Sequence, residues 1–234
     1  MERRDFIKAC AATCAIVAPE LLAATDLRPR LYARAQLVND TGRPLRAADL
    51  VVDRNYIFHY PFEGTPCFLL NLGKPTGRDV PLKTEGGAVY SWPGGVGPSR
   101  GIVGFSAICA HRLNYPAPQV SFISYRDRST ASAAAKANLI HCCSEHSEYD
   151  PASGAKVVGG PAPQPLSAVL LEHDARTDGL TAVGTLGGEV YDAFFAKFEF
   201  KLALEHGGRN PRQPVADRAV VRELENYCKQ QIRC

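Results

Sequence analysis

Two short motifs stand out because they combine residue types that bind transition metals. The first is Cys-Ala-His at 109–111, and the second, after 31 intervening residues, is Cys-Ser-Glu-His at 143–146. Each motif supplies one thiolate sulfur and one imidazole nitrogen. Structural zinc sites usually take their two cysteines from one half of the site and their two histidines from the other. The distribution here instead matches a two-iron, two-sulfide cluster, in which two cysteines bind one iron and two histidines bind the other.

The residues around the two motifs resemble those of Rieske iron–sulfur proteins. The stretch SEYDPASGAKVVGGPAPQPL at 147–166 is similar to the second cluster loop and the proline loop of that family. Within the family, the chain is most similar to the small subunit of arsenite oxidase and its relatives, through VGPSRGIVGFSAICAH at 96–111 and TAVGTLGGEVYDAF at 181–194. The resemblance runs from about Tyr56 to Phe195.

The resemblance implies one [2Fe-2S] cluster and a set of ligands for it. Cys109 and Cys143 would bind the buried ferric iron, and His111 and His146 would bind the outer, reducible iron. Histidine ligation places the potentials of such clusters at about −150 to +300 mV, above roughly −400 mV for all-cysteine plant-type clusters. The residues expected to surround the cluster are Leu113, Ser147, Tyr149, Gly160, Pro161 and Pro163.

The chain departs from the family pattern in three respects. High-potential members carry a disulfide between the two loops, whereas Asn114 and Glu145 stand at the matching positions. Arg112 occupies a position where the family usually has Leu or Met. Ser147 and Tyr149 stand one and three places after the second histidine, whereas the family has these residues two and four places after it. In the family these residues donate hydrogen bonds to the cluster sulfurs and so raise the reduction potential. Because their spacing differs here, the sequence does not determine the reduction potential of this site.

The remaining cysteines allow several pairings. The C-x-x-H spacing favours Cys143 as the ligand, so Cys142 is expected to face away, either as a small buried residue or paired with Cys67. Cys228 and Cys234 would pair with each other or with another molecule in an oxidising compartment.

The elements that position these motifs are mainly short strands separated by Gly, Pro, Asn and Asp. The resemblance implies an all-β fold, a Rieske-type antiparallel β sandwich over 31–200 with an inserted cluster-binding subdomain at about 105–165. Residues 125–137 are interpreted as an exposed insertion or short helix, and 189–204 fits either helix or strand. From 208 to 234 an i, i+4, i+8 apolar spacing predicts a helical tail. Strand signals lie at 56–59, 67–72, 101–107, 138–140, 169–172 and 180–183.

The first 25 residues resemble a twin-arginine export signal. Arg3-Arg4 is followed by Asp, Phe, Ile and Lys and then by an alanine-rich segment. Carriers of this signal are exported folded, often with a cofactor, which implies a periplasmic location. Removal of the segment and its retention as a membrane anchor both remain open, as does a basic N-terminal helix of the domain itself.

Composition and apolar run lengths argue against a nucleic-acid partner and against a membrane-spanning helix. The chain has 27 Lys+Arg against 24 Asp+Glu, a net charge of only +3, which does not predict a nucleic-acid surface. Its longest apolar stretches are about ten residues, whereas a membrane-spanning helix needs roughly 20. A membrane association is therefore expected only through a retained signal segment.

Together these features predict a periplasmic one-electron carrier, an electron-transfer subunit rather than a catalyst by itself. The resemblance to the arsenite oxidase small subunit implies that it is the small subunit or partner of a larger oxidoreductase. Its electron donor would be a molybdenum catalytic subunit and its acceptor a periplasmic cytochrome or copper protein. They would dock on the face formed by His111 and His146 and framed by Leu113 and 161–163. The alternatives are a free-standing Rieske ferredoxin, the Rieske subunit of a quinol-oxidising cytochrome complex, and a non-redox binding protein in which the same four ligands hold zinc.

Overall fold

The computed structural model describes residues 26–131 and 136–234. The twin-arginine segment at 1–25 and residues 132–135 of the predicted insertion lie outside this range. The first strands are β1 Arg30–Val38, β2 Tyr56–His59, β3 Pro66–Asn71, β4 Val80–Lys83, β5 Val89–Trp92, β6 Ile102–Ser106, β7 Val120–Ser121 and β8 Ile123–Arg126. The later elements are β9 Leu139–Cys142, β10 Ser147–Asp150, β11 Lys156–Gly159, β12 Ala168–Asp174, β13 Gly179–Leu186, α1 Tyr191–Glu205, β14 Asp217–Val220, β15 Arg222–Glu223, α2 Leu224–Tyr227 and β16 Gln230–Gln231.

The largest sheet has eight strands in the order β14-β1-β13-β12-β6-β3-β2-β15. Neighbouring strands within this sheet are antiparallel, except that β14 runs parallel to β1. Side chains alternate between the two faces of a strand, and both faces of this sheet are buried. In β3, for example, Phe68 and Leu70 pack in one core cluster while Cys67 and Leu69 pack in the other.

A second sheet is inserted between two neighbouring strands of the first. The strands β6 and β12 are hydrogen bonded to each other, yet the chain between them forms the four-stranded sheet β11-β10-β9-β8. Its Ile140 and Tyr149 pack in the same core cluster as Phe68 and Leu70, so this cluster lies between the two sheets. The prediction of an all-β antiparallel fold with an inserted subdomain is confirmed.

The segment that fitted either helix or strand is helix α1. Its buried Phe194 and Phe195 and the half-buried Phe198 pack against Ile108 and Tyr115. The rings of Tyr115 and Phe194 meet edge to face, with centroids 4.9 Å apart. Aromatic residues at i and i+4 lie on one side of a helix, so this cluster joins α1 to the loop that carries the first motif.

The predicted helical tail is confirmed only as the short helix α2. Only the four residues of α2 are helical, while β14 and β15 extend the main sheet and β16 pairs with β7. At the end of β14 and directly after it, Ala219 and Val221 are buried and the intervening Val220 is 42% exposed. These three positions follow the period of two of a strand, because the edges of β1 and β2 supply hydrogen-bonding partners for this segment. Within 26–131 and 136–234 no helix is long and apolar enough to span a membrane.

Candidate metal centre

The first motif lies in a tight loop directly after β6. The backbone N–H of Cys109 donates to the carbonyl of Asn114 at 2.8 Å, and the N–H of Leu113 donates to the carbonyl of Cys109 at 2.9 Å. Leu113 adopts a left-handed backbone conformation with φ +61°. From α1, Lys197 Nζ donates to the carbonyl of Arg112 at 2.8 Å. The loop is thus closed on itself and held by the helix, with the Cys109 side chain fully buried.

The second motif forms the turn of the β9–β10 hairpin. Cys142 and Ser147 are partners in the ladder, and residues 143–146 make the turn between them. Neighbouring residues of a strand face opposite sides of the sheet. Cys142, the last residue of β9, therefore shares a face with Ile140 and lies in the core cluster of Cys109 and Tyr149, whereas Cys143, the first residue of the turn, lies outside that cluster.

The buried thiols and a tyrosine form a hydrogen-bonded group. Tyr149 Oη accepts a hydrogen bond from the N–H of Ala110 at 3.2 Å and forms a second hydrogen bond, of 3.3 Å, with Cys109 Sγ. Hydrogen bonding from Cys142, followed by that from Tyr149, lowers the pKa of the Cys109 thiol although its burial acts in the opposite direction. Burial and the neighbouring Cys109 raise the pKa of Tyr149. The group therefore favours a thiolate at Cys109 and a protonated phenol beside it.

The predicted ligand set needs a correction at Cys143. Its sulfur forms a disulfide with Cys234, 91 residues away. A metal ligand must be a free thiolate, and a disulfide sulfur is not one. Cys142 is a buried free thiol, as one of its two alternatives expected, and its pairing with Cys67 is wrong, as is that of Cys234 with Cys228. Cys67 Sγ donates to the carbonyl of Tyr60, and Cys228 Sγ donates to that of Gln230, each at 3.0 Å. The free thiol that reaches the Cys109 side of the hairpin is that of Cys142.

The polar groups near the thiols include two without hydrogen-bond partners. Among the described residues, His111 Nδ1 and Ser147 Oγ are buried and unpaired. His146 is exposed at the end of the turn, with φ +55°. Arg112 Nε lies 3.7 Å from Glu145 Oε1, an ion pair that connects the two loops. Three or more Cys, His, Asp or Glu side chains do not converge on one metal position within the described ranges.

The proline loop packs against the second turn through Gly160. Its φ is +76°, and a Cβ added there would lie 2.2 Å from the carbonyl oxygen of His146. Only glycine permits this close approach. Pro161 and Pro163, which follow, are exposed beside the turn. Of the residues expected around the cluster, Ser147, Tyr149 and Gly160 lie at the two loops, while the half-buried Leu113 packs on the aromatic cluster of α1.

Arg126 is a residue of this region that the sequence interpretation missed. It begins the run RDRSTASAAAK, which was expected to be exposed, but its side chain is buried as the last residue of β8. Arg126 Nη2 donates to Cys143 Sγ at 3.3 Å and to the carbonyl of Ile232. Nothing in the local sequence separates Arg126 from the polar residues that follow it.

The donor chemistry of these residues fits a [2Fe-2S] cluster once Cys142 replaces Cys143. Cys109 and Cys142 supply two buried thiols, and His111 supplies a ring whose buried Nδ1 has no protein partner. His146 supplies the second imidazole on the facing turn. This set retains the two thiolates and two imidazoles that the cluster type requires.

No family model matches the chain. The chain is similar to the soluble domain of Rieske protein II (soxF) from Sulfolobus acidocaldarius, with 28% sequence identity and a TM-score of 0.43. The alignment covers 66% of this chain and 78% of that one.

Proposed function

We propose that this protein is a one-electron carrier that holds a single Rieske-type [2Fe-2S] cluster on Cys109, Cys142, His111 and His146. The observation that carries the proposal is the buried thiol pair with Tyr149 hydrogen bonded to Cys109 Sγ, in loops whose sequence resembles the cluster loops of Rieske proteins. When bound, such a cluster takes up and releases one electron.

The protein's own residues perform three tasks in this function. The fully buried Cys109 and Cys142 would hold the inner iron away from water. Tyr149 donates a hydrogen bond toward the Cys109 sulfur and so stabilises negative charge on it. The exposed ring of His146 and the exposed Pro161 and Pro163 place the outer side of the site at the surface, where a redox partner can approach closely.

We further propose a periplasmic location, with an arsenite-oxidase-like role as small subunit or partner of a larger oxidoreductase. A molybdenum subunit would donate one electron, and an oxidised periplasmic cytochrome or copper protein would accept it. The Arg3-Arg4 motif supports export, and the Cys143–Cys234 disulfide supports an oxidising compartment. Association with the membrane is expected only if the first 25 residues are retained.

Electron paramagnetic resonance of the dithionite-reduced protein, with iron and acid-labile sulfide determined on the same sample, tests the cluster. We expect a rhombic signal and equal amounts of iron and sulfide. Zinc without an iron signal would overturn the proposal in favour of a structural zinc site.

The two neighbouring cysteines provide a matched test of the ligand set. Cys142→Ser should abolish the signal and the bound iron, whereas Cys143→Ser should retain both. The reverse outcome would restore Cys143 as the ligand. His146→Ala should also abolish the rhombic signal, and an unaltered spectrum would remove His146 from the set.

Co-purification of the native protein tests the partner. Isolation with a molybdenum-containing subunit supports the arsenite-oxidase-like role. Isolation alone, with direct reduction of a cytochrome, would favour a free-standing ferredoxin. Isolation with a cytochrome complex that oxidises quinol would favour the Rieske subunit of such a complex.

A further inference from the structure

Arg126 is a buried cation directly behind the second loop. Its side chain is among the largest that are fully buried, with 2% of the residue exposed. Nη2 makes the two hydrogen bonds to Cys143 Sγ and the Ile232 carbonyl, while Nε and Nη1 are buried with no partner among the described residues. Burying a guanidinium without an anion is costly, and buried charges are normally paired.

The surrounding side chains do not neutralise this charge. No salt bridge to Arg126 is found within 26–131 and 136–234, and the adjacent Asp127 directs its carboxylate to Ser129 and Thr130 instead. The charge of Arg233 also acts on Arg126, and it has the same sign. Positive charge thus accumulates at this place, and the described part of the chain pairs no anionic side chain with it.

The segment from 228 to 234 holds Arg126 in place. Ile232 N donates to the carbonyl of Ser121 at 2.8 Å, and β16 pairs with β7 just before it. The disulfide between Cys234 and Cys143 then joins the end of this segment to the second loop. The carbonyl that accepts from Arg126 is therefore fixed on both sides, and the guanidinium is kept against Cys143, the chain neighbour of Cys142.

We propose that Arg126 is a positioning residue that raises the reduction potential of the site, an inference that rests on the cluster proposed above. Two ferric ions, two sulfides, two thiolates and two neutral imidazoles sum to zero charge, so uptake of one electron leaves one net negative charge. A fixed cation in a region of low dielectric constant favours the form that carries this charge. The negative charge of the reduced cluster would thus be the charge that compensates Arg126.

The test is the midpoint potential of the loaded, full-length protein, measured by dithionite titration followed by electron paramagnetic resonance. Arg126→Gln and Arg126→Met should lower the potential while iron, sulfide and the rhombic signal remain. Arg126→Lys, which keeps the charge, should restore most of the potential. The exposed Arg128→Gln, two residues away, is the matched control and should leave it unchanged. Because Arg126 is buried, the shift should persist at high salt.

Each outcome is decisive. A wild-type protein without a cluster overturns the proposed function, whereas intact clusters with one common potential in all four variants overturn the role of Arg126 alone. If the Gln and Met variants fail to bind iron, normal loading of Arg126→Lys shows that the positive charge is what the site needs. Failure of the Lys variant as well would show a packing role and refute the proposal.

Discussion

Replacing Cys234 with serine should strongly destabilise the folded protein without removing the cluster ligands. The disulfide closes a loop whose ends are 91 residues apart, and the chain-entropy relation gives about 4–5 kcal/mol of stabilisation for a loop of that length. For a chain of this size the loss corresponds to a fall in the midpoint of thermal unfolding of roughly 10–15 °C.

The assay is thermal and urea unfolding of the wild type, Cys143→Ser, Cys234→Ser and the double variant under non-reducing conditions. Because either substitution removes the same bond, the double variant should be no less stable than the single ones, a clear departure from additivity. Cys228→Ala is the matched control on the same segment, since its thiol is buried but not in a disulfide. Cys228→Ala should lower the free energy of unfolding much less than Cys234→Ser does.

Three results would refute this reasoning. The first is additive losses in the double variant, because these would mean two independent sites. The second is a single variant as stable as the wild type. The third is a wild-type protein in which the thiols of Cys143 and Cys234 react fully with an alkylating reagent before reduction.

Three further predictions concern the site and the pH dependence of stability. Tyr149→Phe removes the hydrogen bond to the first-loop thiol and should lower the midpoint potential, by about 1 kcal/mol or roughly 40 mV for one electron, in a redox titration. Gly160→Ala places a Cβ against the His146 carbonyl and should cost about 1–3 kcal/mol in urea unfolding, whereas Gly86→Ala, with open space around it, should be neutral. Burial lowers the pKa of His59 from 6.5 to about 4, so the unfolded chain binds more protons between these values and stability should fall as pH falls through this window. His59→Asn should flatten that slope, and an unchanged slope would contradict the shift.

Much of the site could be predicted from local sequence. Strands such as β2 and β3 appear as runs of apolar and branched residues between turn residues, because these preferences act over a few neighbours. The loop positions of Cys109 and Tyr149 followed from the motif and its resemblance, and the structure places these two side chains together. The period of residues 189–204 was ambiguous because the aromatic side chains of α1 are distributed on more than one side of the helix.

The tail shows where local pattern fails. The spacing of Ala216, Val220 and Leu224 predicted a helix, but free strand edges of the main sheet offered backbone hydrogen bonds to this segment. Those edges belong to residues far away in the chain, so no window of the tail sequence contains them.

Sequence alone determined which donor atoms the site offers, because the types of donor atom and their grouping in two short motifs depend only on neighbouring residues. Which of two adjacent cysteines faces Cys109, and which joins Cys234, was decided by the tertiary structure. Cys142 is the last residue of β9 and Cys143 is the first residue of the turn, and the register of the hairpin against its core decides which of them is buried beside Cys109. The burial of Arg126 has the same origin, since the carbonyl that holds it comes from a segment more than a hundred residues away.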